Sequence, residues 1–201
     1  MIWRYDPIIF TETYPMEYHL QAFRQIADAL KGYTNKCIIS FVDIYAKNKR
    51  NMEALRHYES EESRLREFAK RLSEIAGMDG MAIAACAESM DLTDCGIEHN
   101  SCIDKNLIED IIGCKLNVDR DKNQRRECGC VESIDIGTYN TCRNECVYCY
   151  ANHSQESVVK NCSKYDPASP LLCGTLTEED RVSARKVQSC WDGQMWLFDA
   201  E

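Results

Sequence analysis

Residues 81–88 read MAIAACAE, a short, continuously apolar run that ends on a glutamate. A run of this kind fits a strand of a parallel sheet, which is buried on both faces. Working outward, the stretch before it is helical up to about Ala76. Its clearest apolar face is Leu65, Phe68, Leu72, Ile75 and Ala76, and Gly77 and Gly80 close it. After the run, CIDKNLIEDII (Cys102–Ile112) predicts a short helix capped by Gly113. Further out, CIISFVDIY (Cys37–Tyr45) predicts an earlier strand. IWRYDPIIF (Ile2–Phe10) predicts the first one, with Pro7 turning the chain. Between these two strands, Tyr14-Pro15 opens a helix over Met16–Leu30 that Gly32 ends.

Strand and helix thus alternate, which indicates α/β with parallel strands. The expected architecture is a partial parallel (β/α) barrel-like sheet of about three strand–helix units over residues 1–113. An irregular Cys-rich region follows over 114–201, held by metal more than by a large core. Within it, Thr177 to Asp180 resembles a helix start, and the terminal MWLF reads as a strand or docking tail.

The chain has 201 residues, 44% hydrophobic and 28% charged, the composition of one globular domain with a small appendage. Its net charge of −9 leaves no general electrostatic footprint for nucleic acid. No apolar run has the length of a membrane span and the N-terminus lacks signal-peptide organisation, so the expected location is the cytosol. Thirteen cysteines then need a reason. An odd count without a signal peptide does not suggest a disulfide framework, and metal ligation in a reducing compartment accounts for it better. Only Cys37 lies in the first 85 residues.

The densest cluster is CRNECVYCYAN, Cys142 to Asn152. Cys142, Cys146 and Cys149 stand at C-x3-C-x2-C, with Tyr148 before the last thiol and Tyr150 after it. Thiolates are the soft ligands of iron–sulfur clusters and zinc. Three of them within one loop can hold three irons of a 4Fe–4S cluster and leave the fourth iron open. Electron-transfer clusters and structural zinc normally take four protein ligands. The spacing, with its aromatic, resembles the radical S-adenosylmethionine signature. That resemblance implies a 4Fe–4S cluster whose open iron chelates S-adenosylmethionine and cleaves it to a 5′-deoxyadenosyl radical. Tyr148, Tyr150 and Asn152 are the cofactor-binding candidates beside it. Zinc, or uncommitted thiols, are the other readings of the same spacing.

Each predicted strand ends in polar residues: Arg4 and Asp6, then Asp43 and Tyr45, then Glu88. Ligand sites of parallel sheets lie outside the carboxyl ends of the strands. Arg4, Asp6, Asp43 and Glu88 are therefore candidate catalytic residues, although Asp6 and Asp43 also suit turns. Cys128 and Cys130, together with Cys86 or Cys102, are candidates for a second metal or cluster; buried Cys86 is equally read as a small hydrophobe. Gln124, Arg125 and Arg126 suit a phosphate or carboxylate, or a solvated basic face. His19 reads first as a satisfied core or surface histidine.

Taken in order, WRYDPIIF, SFVDIY, CAE, CID, NQRRECGCVESIDIGTYNTC, CVYCYAN, SPLLCG and the closing LF resemble the bacterial family called domain of unknown function 1848. The resemblance covers essentially the whole chain. It implies that Cys142, Cys146 and Cys149 are cluster ligands, and CVYCYAN is similar to the loop of spore photoproduct lyase. It names no substrate, so the partner is a small molecule or another unidentified substrate, with a reductase or flavodoxin as electron donor. In typical radical enzymes the cluster motif precedes the barrel, and here it follows the strands. Relatives carry more α/β sequence ahead of WRYDP, which implies a truncated form. Three units leave open sheet edges for a partner chain or a second copy. Beside the radical enzyme stand two alternatives: a non-catalytic iron–sulfur or zinc protein, and an inactive fragment.

Overall fold

The computed structural model describes residues 1–46 and 48–192. The chain divides into two units. One comprises Met1–Val42, Tyr58–Ser133 and the chain from Gln188; the other comprises Asp43–His57 and Ile134–Val187.

The first unit is built on a four-stranded parallel sheet in the order β1-β2-β3-β4: β1 (Trp3–Ile8), β2 (Lys36–Phe41), β3 (Ala82–Cys86) and β4 (Glu98–Asn100). Helix α1 (Met16–Leu30) connects β1 to β2, and α3 (Glu62–Met78) precedes β3. This is mixed α/β with strands and helices alternating, and the strand order is one that (β/α) barrels also use. The apolar stripes of α1 (Leu20, Phe23, Ala27) and α3 (Phe68, Leu72, Ile75) pack in one buried core with Ile39, Ile83 and Ala85 of the sheet. Phe23 is fully buried, its ring 4.5 Å from Trp3 and 5.2 Å from Tyr5.

Because strand side chains alternate, that core fixes what the other face carries. Trp3 and Tyr5 pack toward the core, so Arg4 and Asp6 fall on the opposite face. Ile38, Ala84 and Cys86 alternate with the core-facing residues of β2 and β3 in the same way, and the register aligns Arg4, Ile38 and Ala84 across the three strands.

Several expectations needed correction. Pro7 does not turn the chain; it lies inside β1, and β1 is an edge strand, where a missing N–H is tolerated. The helical stretch before β3 is two helices, α2 (Lys49–Ala54) in the second unit and α3. Arg56 takes a left-handed φ of 51°, and the Tyr58 N–H donates to the Phe10 carbonyl at 3.0 Å while its ring stacks on Phe10. Those tertiary contacts override a sequence of good helix formers. Gly77 lies within α3 and does not end it. The sheet has a fourth strand, β4, three residues long, of which only Asn100 is buried. The predicted helix after Cys102 is α4 (Lys105–Ile112), started by Asp104, whose carboxylate accepts from the Asn106 and Leu107 N–H groups, and stopped by Gly113 at φ 68°.

The second unit holds α2 and α5 (Gln155–Cys162), capped by the Ser154 hydroxyl. No helix follows Thr177 among the described residues; Asp180 accepts from the Thr177 N–H and hydroxyl to close a turn. The MWLF tail lies outside the described residues. No described helix is long and apolar enough to cross a membrane.

Candidate functional site

Arg4 and Asp6 do not close β1, as the sequence suggested, but lie within it, and Arg4 makes two hydrogen bonds to Asp6, Nη2 to Oδ2 at 2.6 Å and Nε to Oδ1 at 3.2 Å. Such a fork fixes the guanidinium plane. The remaining Nη1 reaches Cys102 Sγ at 3.4 Å. Cys102 Sγ in turn lies 2.9 Å from Cys86 Sγ. The Cys86 thiol holds the Cys102 thiol well below the ordinary range by hydrogen bonding to it, and Arg4 adds to the effect. Cys86 is pushed up, first by that same hydrogen bond and then by burial.

Cys130 joins from the loop after α4: its Sγ accepts the N–H of Ile103, the residue after Cys102, at 3.2 Å. Arg120 shapes this loop by donating to the carbonyls of Arg125, Arg126 and Cys128. The next residues of β3 also bend toward the site. Ala87 adopts φ 54°, a left-handed conformation that costs a residue with a Cβ. It turns Glu88 so that Oε1 accepts the Phe41 N–H at 2.6 Å, tying the ends of β2 and β3. His19 is satisfied on both nitrogens. Nε2 faces the Ile9 carbonyl at 3.1 Å and must donate, so Nδ1 accepts from the Tyr5 hydroxyl at 2.8 Å.

The C-x3-C-x2-C loop belongs to the second unit. Its two ends are clasped together. Asn152 Nδ2 donates to the Cys142 carbonyl at 2.7 Å, and the Asn140 N–H to the Ala151 carbonyl at 3.1 Å. Helix α5 supports the stem through Asn161 Nδ2 to the Asn140 carbonyl and Cys162 Sγ to the Thr141 carbonyl, 3.2 and 3.5 Å. Glu145 takes φ 53°, and the Cys149 N–H closes a turn on the Cys146 carbonyl at 2.9 Å. Cys142 and Cys146 are exposed and Cys149 half-buried. Cys146, Cys149, Asn152 and His153 border an open cavity of about 380 Å³ with Asn51 and Leu55 of the α2 segment. Asn152 Oδ1 is buried without a hydrogen-bond partner.

A family model for Domain of unknown function (DUF1848) matches residues 1–151. The chain belongs to this family. The match runs from β1 through all three cysteines of the loop and stops at Ala151. Comparison with curated proteins and with solved structures gave no match.

In this DUF1848 chain the sequence-predicted residues fall into two groups. Arg4, Asp6, Cys86, Cys102, Cys128 and Cys130 come together at the sheet end, with Glu88 two residues beyond Cys86. Asp43, Tyr148, Tyr150 and Asn152 belong with the loop unit, where Tyr45 contacts both Asp43 and the Tyr150 ring. None of the thirteen cysteines, all of them described, is in a disulfide. Among the described residues no group of three or more His, Cys, Asp or Glu side chains is placed to hold a metal ion.

Sequence reasoning missed the residues that hold the loop. Asn48 is buried, accepts the Tyr45 N–H at 2.8 Å, and donates to the carbonyls of Asp43 and Tyr148 at 3.3 and 3.2 Å. Asn51 donates to the Val147 carbonyl at 3.1 Å. The signal available was two asparagines flanking the start of a short helix, which alone reads as a cap.

Proposed function

We propose that the chain is an iron–sulfur protein of the radical S-adenosylmethionine type, with Cys142, Cys146 and Cys149 as cluster ligands and an unassigned substrate. The observation that carries the reading is the loop itself: three thiols at this spacing beside a cavity lined in part by Asn152, whose Oδ1 is buried without a partner. A buried acceptor without a partner costs about 1–3 kcal/mol, and a bound donor group such as an amine or hydroxyl would relieve it. The donor set also fits, because three sulfurs with no fourth cysteine at a two- or three-residue step suit a cluster with one open iron. When bound, such a cluster would supply reductive cleavage of S-adenosylmethionine to a 5′-deoxyadenosyl radical.

The chain's own residues do the positioning. Asn48 and Asn51 fix the carbonyls of Tyr148 and Val147, between the second and third cysteines. Asn152 closes the loop on Cys142. An external one-electron donor of reductase or flavodoxin type completes the proposal.

One observation favours a second reading, a closed cluster or zinc site without radical chemistry. Cys162 contacts the Thr141 carbonyl, one residue from Cys142, and is a candidate fourth ligand. Anaerobic reconstitution separates the two. The radical reading expects about four iron and four sulfide per chain, lost on Cys142→Ala, Cys146→Ala or Cys149→Ala and kept on Cys162→Ala. Loss on Cys162→Ala, or zinc in place of iron at the loop, would overturn it.

A further inference from the structure

We propose that Cys86, Cys102, Cys128 and Cys130 are the four ligands of a single zinc ion at the carboxyl end of the sheet, separate from the loop cluster.

The four thiols come from three segments: the last residue of β3, the turn after β4, and the loop after α4. Three of them, Cys86, Cys128 and Cys130, are buried. Lone buried cysteines act as small hydrophobes and pack against carbon. Here Cys86 and Cys102 lie sulfur to sulfur at 2.9 Å, Cys130 Sγ accepts the N–H of Ile103, the residue after Cys102, and Cys128 stands one glycine before Cys130. Glycine eases the approach. A Cβ on Gly129 would stand 2.4 Å from Ser101 Oγ, so the CGC turn lies close against the segment that carries Cys102 and a larger residue there would make the Ser101 hydroxyl move.

The spacing selects the nuclearity. Zinc holds sulfur at about 2.3 Å, which puts the sulfurs of a tetrahedral site about 3.8 Å apart. Cys86 and Cys102, now 2.9 Å apart, would separate by roughly 0.9 Å, and the four sulfurs, which do not form a ligand group as they stand, would have to close on one point when the ion binds. A cubane cluster has four irons between its ligands and would force the same sulfurs much farther apart. The surroundings fit a bound thiolate set. Four thiolates and one divalent cation leave two negative charges, and Arg4 Nη1 and the Ile103 N–H already point at sulfur. Such outer donors orient and stabilise metal ligands. Asn100, in register with Cys86, has a buried Nδ2 without a partner and is a further donor at this strand end. Binding releases the thiol protons to solvent. It would pin the segment between α4 and Ser133, which has little regular structure of its own, to the sheet.

The test uses the full chain with Cys142, Cys146 and Cys149 all changed to Ser, so that its result is independent of the loop reading. Purified from zinc-supplemented cells, this variant is expected to carry about one zinc per chain. Cobalt exchanged into it should give the intense sulfur-to-cobalt absorption of a tetrahedral thiolate site, and zinc should shield about four thiols from an aromatic disulfide reagent. Adding Cys128→Ser and Cys130→Ser should abolish all three signals. Cys102→Ser alone should weaken binding at least tenfold while the far-ultraviolet circular dichroism is retained. No uptake of zinc or cobalt by the loop-minus variant would overturn the proposal. So would uptake indifferent to Cys128 and Cys130, an iron–sulfide cluster held by these four residues, or a Cys86–Cys102 disulfide that forms in the presence of zinc.

Discussion

Replacing Asn48 with alanine removes three hydrogen bonds at once. Two lie inside the turn before α2, from the Tyr45 N–H and to the Asp43 carbonyl, and one crosses to the Tyr148 carbonyl of the cysteine loop. Asn48 is 1% exposed, so water does not replace them. At about 1 kcal/mol net per bond, the turn loses about 2 kcal/mol and the loop about 1 kcal/mol. With tenfold per 1.4 kcal/mol, amide exchange should accelerate about 30-fold in a peptide covering 43–57 and about fivefold in one covering 142–152. Hydrogen exchange read by mass spectrometry resolves both peptides in one experiment. Asn48→Asp is the informative companion. It keeps the acceptor for Tyr45 and loses both donors, so the loop should accelerate as in the alanine variant, with a smaller effect in the turn. Unchanged exchange over 142–152 in both variants would refute the role of Asn48 as the tether of the loop.

Other expectations concern the scaffold. Phe23→Ala empties a fully buried position between Trp3 and Tyr5 and should cost about 3–5 kcal/mol in urea unfolding of the first unit. Asp104→Ala removes the cap of α4 and should cost about 1 kcal/mol, with Asp104→Ser recovering most of it. His19 is held below its ordinary pKa by burial, the Ile9 carbonyl opposing only in part. The unfolded chain therefore binds a proton on this residue before the folded one does, and its contribution to stability is complete above about pH 6.5 and declines as pH falls below it. His19→Gln should flatten the pH dependence of the unfolding midpoint in that range, and an unaltered slope would contradict the assignment.

The α/β class was legible because its signals are local. The unbroken apolar run before Glu88 and the stripe over Met16–Leu30 each need only their own residues to be read, and α1 has the expected bounds. What escaped depends on partners distant in sequence. Strand β4 is short and its first two residues are exposed, so it has neither run nor alternation and exists through pairing with β3. The break between α2 and α3 comes from Tyr58 pairing with Phe10. Helix α5 buries only Val158 and has no stripe to read. The site divides the same way. The cysteines announce themselves by number and spacing, whereas Arg4 and Asp6, read as closing the first strand, lie inside β1 because the strand continues through Pro7 to Ile8. The amide clasp of Asn48, Asn51 and Asn161 could not be read, since an asparagine looks alike in the sequence whether it faces water or holds a carbonyl.

The central claim is an open-iron cluster on the loop of Cys142, Cys146 and Cys149, and electron paramagnetic resonance of the reduced, anaerobically reconstituted chain tests it most directly. The account predicts a 4Fe–4S signal that shifts when S-adenosylmethionine is added and disappears in Cys146→Ala. A cluster signal indifferent to S-adenosylmethionine, or a loop that takes zinc and no iron, would contradict it.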